Sequence, residues 1–173
     1  MIKDYNLLQI QYNYEEHGEL ASLFDCGVDG LNHYLTKSFA HGDPIFIFID
    51  EDANKIAAYM SLTSSSLIFM EKGKEYQMPA IDIKTFAVDG DYQNLPVSEN
   101  IKDGVFSDKI FDQVIEKIYD LAENTLNADY ITLYSVESAM KFYGRNGFET
   151  YKDEMSRFNN RFNEACVAMY MEL

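Results

Sequence analysis

Tryptophan is missing from this chain, and its 173 residues include only three prolines, nine glycines and two cysteines. Each scarcity removes a class of structure. With so little proline and no Ser/Gly-rich run there is no evident linker, and no internal repeat is visible. The N-terminus has no basic segment leading into an apolar core, so a secretory signal is not expected. No apolar run reaches the ~18–20 residues of a membrane span, so no membrane association is expected. Cys26 and Cys166 are expected to be reduced, partly buried thiols of a cytoplasmic protein, with a disulfide or a catalytic thiol as the alternatives. His17, His33 and His41 lack the spacing of a zinc site, and no metal is expected.

Positive charge is also scarce. Twenty-nine acidic residues face 14 basic ones, a formal net charge of −15, and the arginines (Arg145, Arg157, Arg161) all lie near the C-terminal end. Affinity for nucleic acid rests mainly on Lys and Arg neutralising phosphates, so binding to naked DNA or RNA is not expected. A cationic small-molecule or protein partner suits this field better: a lysine side chain, a protein N-terminus or a polyamine. A generically acidic surface accounts for the charge equally well.

Apolar residues, by contrast, are abundant: 47% of the chain, with 13 Tyr and 12 Phe. Such a composition describes a packed globular protein, and the length suits a single domain over 1–173. Leu7–Tyr12 reads as a first strand. Leu31, Tyr34, Leu35 and Phe39 share one helical face. Pro44–Asp50 is an apolar strand buried on both faces, and a turn at Glu51–Asn54 leads to a hairpin partner at Lys55–Leu62. Ser64–Ser66 reads as a polar edge after it, and residues 71–78 as a connection. Pro79 opens the next strand, to about Val88. Ser107 reads as a helix N-cap with Asp108 in the first turn, and the apolar period from Ile110 continues to about Asn124. Tyr130–Tyr134 is a short strand, Glu137–Tyr143 two helical turns stopped near Gly144 and Gly147, and Ala165–Met171 a last strand. Asp82 and Lys84 alternate with Ile81 and Ile83, as solvated strand-face charge does. The sum is a mixed α/β (α+β) domain.

The run Ile83-Lys84-Thr85-Phe86-Ala87-Val88-Asp89, a long helix, and then Ser138-Ala139-x-x-Phe142-Tyr143-x-x-x-Gly147-Phe148 resembles the acyl-CoA-binding half of the GNAT N-acetyltransferases. Phe24-Asp25-Cys26-Gly27 followed by Leu31-Asn32-x-Tyr34-Leu35 is similar to the opening of the toxin-type GNAT group of bacterial toxin–antitoxin pairs, which as a group acetylate aminoacyl-tRNA. The resemblance implies a single GNAT-like domain, with a mostly antiparallel mixed sheet flanked by helices, using acetyl-CoA to acetylate a primary amine by direct attack. It implies a strand bulge that turns the backbone of Phe86, Ala87 and Val88 toward pantetheine and the thioester. It places Tyr143 near the CoA sulfur as general acid, Phe142 beneath the pantetheine arm, and Ser135 and Ser138 beside it. A monomer or homodimer is expected.

One stretch departs from the pattern. The family's phosphate loop begins with Gln or Arg and continues with glycines whose amides close on the pyrophosphate at a helix start. Here the run is Gln93-Asn94-Leu95-Pro96-Val97-Ser98, in which only Gln93 fits, and Pro96 has no amide hydrogen. Two readings stay open. In one, Ser107, Asp108 and Lys109 still hold a phosphate, assisted by Lys102. In the other, cofactor binding is weakened or lost, and the chain is a non-catalytic GNAT-fold protein that binds a basic protein partner through its acidic surface. Glu99, Asp103 and Asp108 would repel a pyrophosphate.

Overall fold

The computed structural model describes residues 7–37, 42–97, 104–157 and 165–173. Along the chain lie β1 (Leu7–Gln11), α1 (Tyr14–Ser22), α2 (Asp29–Lys37), β2 (Ile45–Asp50), β3 (Lys55–Glu71) and β4 (Lys74–Val88). There follow α3 (Phe106–Leu121), a π-helical turn (Ala122–Leu126), β5 (Tyr130–Val136), a 3-10 turn (Glu137–Ala139), α4 (Met140–Arg145), β6 (Glu149–Thr150), β7 (Met155–Arg157) and β8 (Cys166–Glu172). Hydrogen-bonded neighbours run in the order β1-β2-β3-β4-β5-β8-β6, with β7 on β3. β4 and β5 run parallel, whereas β1–β2, β2–β3, β3–β7, β5–β8 and β6–β8 are antiparallel. This is the mixed, mostly antiparallel α/β architecture expected. The chain divides into two compact units.

The first unit holds Met1–Leu62 and Thr85–Asp112. In β2, the unbroken apolar run Ile45–Ile49 is buried along nearly its whole length, as a strand covered on both faces must be. Its core gathers Phe24, Leu35, Ile47, Ile56, Tyr59 and Ala87. Between β2 and β3 the register slips, since Phe48 faces Ala58 while Ile49 faces Ile56, so Ala57 is an extra residue on β3. Helix α1 carries no strong apolar period and was not anticipated. Asn13 starts it by accepting the Glu15 amide, Glu15 and Glu16 favour its first turn, and Ala21 is buried. In α2, Leu35 is buried as expected; Phe39 lies outside the described residues, as do His41 and Lys102. Tyr59, also buried, donates to the Leu31 carbonyl at 2.8 Å and lies edge-on to Phe24 and stacked on Tyr34. Burial pushes its phenol well up, so it stays neutral.

The second unit holds Thr63–Lys84 and Gln113–Leu173. Here the expected connection over 71–78 is replaced by strand. β3 runs on to Glu71 and β4 starts at Lys74, so the link is only Lys72-Gly73, with φ of 50° and 75°. Two positive φ values are what a tight hairpin turn requires, and charged residues flank it because the hairpin is exposed there. Ser66, expected on a polar edge, sits inside β3 and accepts from the Gln77 side chain at 2.9 Å. Pro79 lies within β4, where its carbonyl accepts the Asp129 amide. β5 pairs along its full length with β8, and Ala80–Ile83 of β4 align with Tyr130–Leu133. Asp82 is not solvated: it is 2% exposed and accepts from Thr132 Oγ1 at 2.9 Å. α3 ends in the π turn at Asn127, whose left-handed backbone returns its amide to the Ala122 carbonyl.

Among the described residues no helix is long and apolar enough to cross a membrane, and no cluster of three His, Cys, Asp or Glu could hold a metal. Cys26 and Cys166 are free thiols.

Candidate active site

The first unit contains the expected thioester strand. Ala87 and Val88 are buried, and the Phe86 ring packs on Phe111 of α3 at 5.1 Å between centroids. The Asp89 amide, immediately after the strand, donates to the carbonyl of the extra residue Ala57 at 2.9 Å. The register slip therefore falls on Ala57, the β3 residue to which the residue after β4 is tied.

Beyond β4 the chain enters a tightly bonded turn. The Asp89 carboxylate, 1% exposed as a residue, accepts the amides of Asp25 (3.0 Å) and Asp91 (3.1 Å) and pairs with Lys55 Nζ at 2.8 Å. Lys55 also meets Asp91 at 2.5 Å, and these partners hold its ammonium above the ordinary range despite partial burial. Asp25 accepts from the Gly27 amide and the Asn32 side chain, which lowers its carboxyl pKa, and its carbonyl takes the Gly90 amide. Tyr92 donates to buried Asp50 at 2.9 Å. Gln93, expected at the pyrophosphate, instead donates its side-chain amide to the carbonyls of Val88 (2.7 Å) and Cys26 (3.0 Å). It ties the Phe24–Gly27 segment to the end of β4. Sequence reasoning missed this network; the available signal was Asp89 standing directly after an apolar strand, but its partners lie far away in sequence.

The loop itself bonds inward. Pro96 bridges Val105, the Val97 amide donates to Gly104, and the Phe106 amide to Leu95 at 2.7 Å. The amides of Tyr92 and Gln93 turn back on Asp89, and that of Asp108 on Val105. Helix α3 begins at Phe106, so Ser107 lies inside the first turn and does not cap it. Ser107 and Asp108 are half-buried and Lys109 is exposed. The Asp108 carboxylate folds back to 3.7 Å from where a Cβ on Gly104 would stand.

The second unit holds the proposed acid. Tyr143 on α4 lies edge-on between Phe142 (5.2 Å) and Phe148 (5.9 Å), while the Arg145 guanidinium sits 4.9 Å over the Phe142 ring. The mass of protein around this half-buried side chain pushes its phenol up to about 12, so it is protonated at neutral pH. The Tyr143 carbonyl accepts the amides of Asn146 and Phe148, closing the turn. Ser135 is 1% exposed and its hydroxyl bonds the Val136 carbonyl at 2.8 Å; Ser138 lies exposed in the 3-10 turn. Thus Phe142 and Tyr143 are brought together, and Ser135 is committed to backbone.

Gly147 makes the turn possible. Its φ is 92°, and a Cβ there would stand 3.2 Å from Met171 Sδ. Gly147→Ala is expected to cost about 1–2 kcal/mol from the backbone conformation alone. Gly144→Ala meets no atom within 4 Å and is expected to be neutral or slightly stabilising. Thermal unfolding of both variants checks the contrast, and equal melting temperatures would refute it.

Among solved structures, the chain is similar to a bacterial toxin (TM-score 0.70, 16% identity, covering 97% of this chain and 91% of that one). The fold is that of the GNAT acyltransferases. The same GNAT fold is seen in AtaTR bound with acetyl-CoA (TM-score 0.66, 16% identity, covering 98% and 95%). It is seen again in AtaT complexed with acetyl-methionyl-tRNAfMet (TM-score 0.63, 16% identity, covering 94% of each). No family model matches the sequence, and no curated protein matches it. The likeness is one of GNAT fold, carried by three-dimensional arrangement at an identity where sequence has diverged.

Proposed function

We propose that this protein is an N-acetyltransferase that moves the acetyl group of acetyl-CoA to a primary amine. The observation that carries this reading is Tyr143. It stands in the aromatic turn after β5 of a GNAT fold, and its surroundings keep the phenol protonated. The neutral amine attacks the thioester carbonyl, a C–N bond forms, the C–S bond breaks, and the proton lost by nitrogen ends on sulfur. By the resemblance to the GNAT pattern, the backbone of Phe86–Val88 is assigned to the pantetheine arm, and Tyr143 is assigned to donate to the sulfur as charge builds there.

For the acceptor, the net charge of −15 favours an amine on a cationic small molecule or protein. An amine borne by tRNA, as in the AtaT complex, is the contrasting possibility. Purified protein with acetyl-CoA and a panel of polyamine, lysine peptide, free amino acid and aminoacyl-tRNA tests the reading, with Tyr143→Phe as control. Turnover of none of these, together with no acetyl-CoA binding by folded protein, would leave the non-catalytic reading with a basic partner.

The pH profile is a second check. Since the phenol holds its proton to about pH 12, Tyr143 imposes no falling alkaline limb below that. Activity should rise with pH as the acceptor loses its proton. The midpoint is expected near ~8 for an α-amine and above ~10 for a lysine. A decline between about pH 8 and 10 in stable protein would contradict the assigned acid.

A further inference from the structure

We infer that β1 is an assembly edge, on which a second copy of this chain adds its own β1, antiparallel about a two-fold axis at Gln9. β1 stands at the end of the strand order and, among the described residues, pairs with β2 alone. The Tyr12 amide donates to the Ile45 carbonyl, and the same register sets Ile10 against Ile47 and Leu8 against Ile49. Inward and outward groups alternate along an antiparallel strand, so the amides and carbonyls of Leu7, Gln9 and Gln11 point away from β2. Such a row is a template for another strand, and proteins usually block it with charge, proline or a bulge. None of these is present: Leu7-Leu8-Gln9-Ile10-Gln11 has no charged residue and no proline, and its register with β2 is unbroken.

The strand fits its own copy. Set antiparallel about Gln9, Leu7 faces Gln11 of the second copy and Gln9 faces its own equivalent, so every outward amide meets an outward carbonyl. Leu8, 42% exposed, then lies beside Ile10 of the second copy, an apolar cross-strand pair that covers it. Gln9 Nε2 is buried without a hydrogen-bond partner among the described residues, and the pairing sets an amide oxygen opposite it. Charge selects the occupant. No residue from Tyr5 to Tyr14 is charged in a chain of net charge −15, so two copies meet along the strand without opposing carboxylates, and a basic partner finds none there to pair with. A single strand pair falls below the ~1,200 Å² of a stable interface, so the dimer is weak and reversible.

Sedimentation velocity and amide exchange of the full chain, from about 5 to about 500 µM, test this. Expected is a monomer–dimer equilibrium that shifts toward dimer as salt rises from about 50 to about 500 mM, because screening relieves repulsion between two acidic copies. The amides of Leu7, Gln9 and Gln11 should gain protection with concentration, while those of Leu8, Ile10 and Tyr12 are protected throughout. Gln9→Pro removes an outward amide and no bond to β2, and Leu8→Glu places a charge where Ile10 of the second copy would lie. Each should weaken association at least about tenfold, with the melting temperature of the dilute protein little changed. A monomer at the highest concentration, or a dimer that persists in both variants, would overturn the inference. So would association that weakens with salt, the mark of contact between opposite charges on another surface.

Discussion

Tyr143→Phe is expected to lower kcat by about 10²-fold or more while leaving the donor KM within about twofold. The substitution removes one oxygen and keeps the ring, so the edge contacts to Phe142 and Phe148 survive and the fold should be unaffected. The high pKa also says how the hydroxyl acts. Burial raises the phenol above its ordinary value, so it holds its proton more tightly than a thiol does. Complete transfer to the free thiolate is therefore uphill. The hydroxyl acts first as a hydrogen-bond donor to the developing charge, and the proton that finally rests on sulfur comes from the nitrogen, which becomes acidic once the neutral amine has attacked and the C–N bond has formed. Charge-assisted hydrogen bonds are the strong ones, and this one forms only as the C–S bond breaks. Its loss should therefore appear in kcat and not in binding. The variant should also discriminate against thioesters of more basic thiols more sharply than the parent does. Single-turnover measurements read the step directly. Loss of less than about threefold would remove Tyr143 from the chemistry.

The fold was legible because its signals are local. The apolar run Ile45–Ile49, the period from Ile110 to Ile118 and the alternation in Tyr130–Tyr134 each announce an element without reference to any other. The order strand, helix, strand, aromatic turn then suggests the GNAT arrangement. Misreadings came where a tertiary contact decides. Residues 74–78 are polar and look like a loop, yet they are strand because the hairpin turn at Lys72-Gly73 holds them in register with β3. α1 has too little apolar period to stand out and depends on its Asn13 cap and on burial of Ala21. Within the site, Tyr143 could be picked from its spacing to Gly147 and Phe148. The role of Gln93 could not, since motif spacing gives its position and only the structure gives its partners, Val88 and Cys26. The bonds that bind Asp25, Lys55 and Asp89 join three segments distant in sequence, and no periodicity reports them.

That junction carries the largest expected effect on stability. Asp89→Ala should destabilise the protein by about 3 kcal/mol, because it leaves two amides without their acceptor and the partly buried Lys55 ammonium with the exposed Asp91 alone. The carboxylate is almost wholly enclosed, with one oxygen on the Asp25 amide and the other shared between Lys55 and the Asp91 amide. Asp89→Asn keeps the shape and one carbonyl oxygen, so about 1–2 kcal/mol is expected. Lys55→Met removes the cation but leaves Asp89 with its two amide donors, again about 1–2 kcal/mol. Because both substitutions break the same ion pair, Asp89→Asn with Lys55→Met should cost less than the sum of the two. Urea titration with unchanged m-values measures all four species. A loss below about 1 kcal/mol for Asp89→Ala, or strict additivity in the double variant, would show that the junction does not hold β4 in place. If it does hold, the same variants should raise the donor KM, since Asp89 directly follows the strand end on which the pantetheine arm is proposed to lie. Tyr143→Phe, which touches none of these bonds, should leave both stability and donor KM where they were.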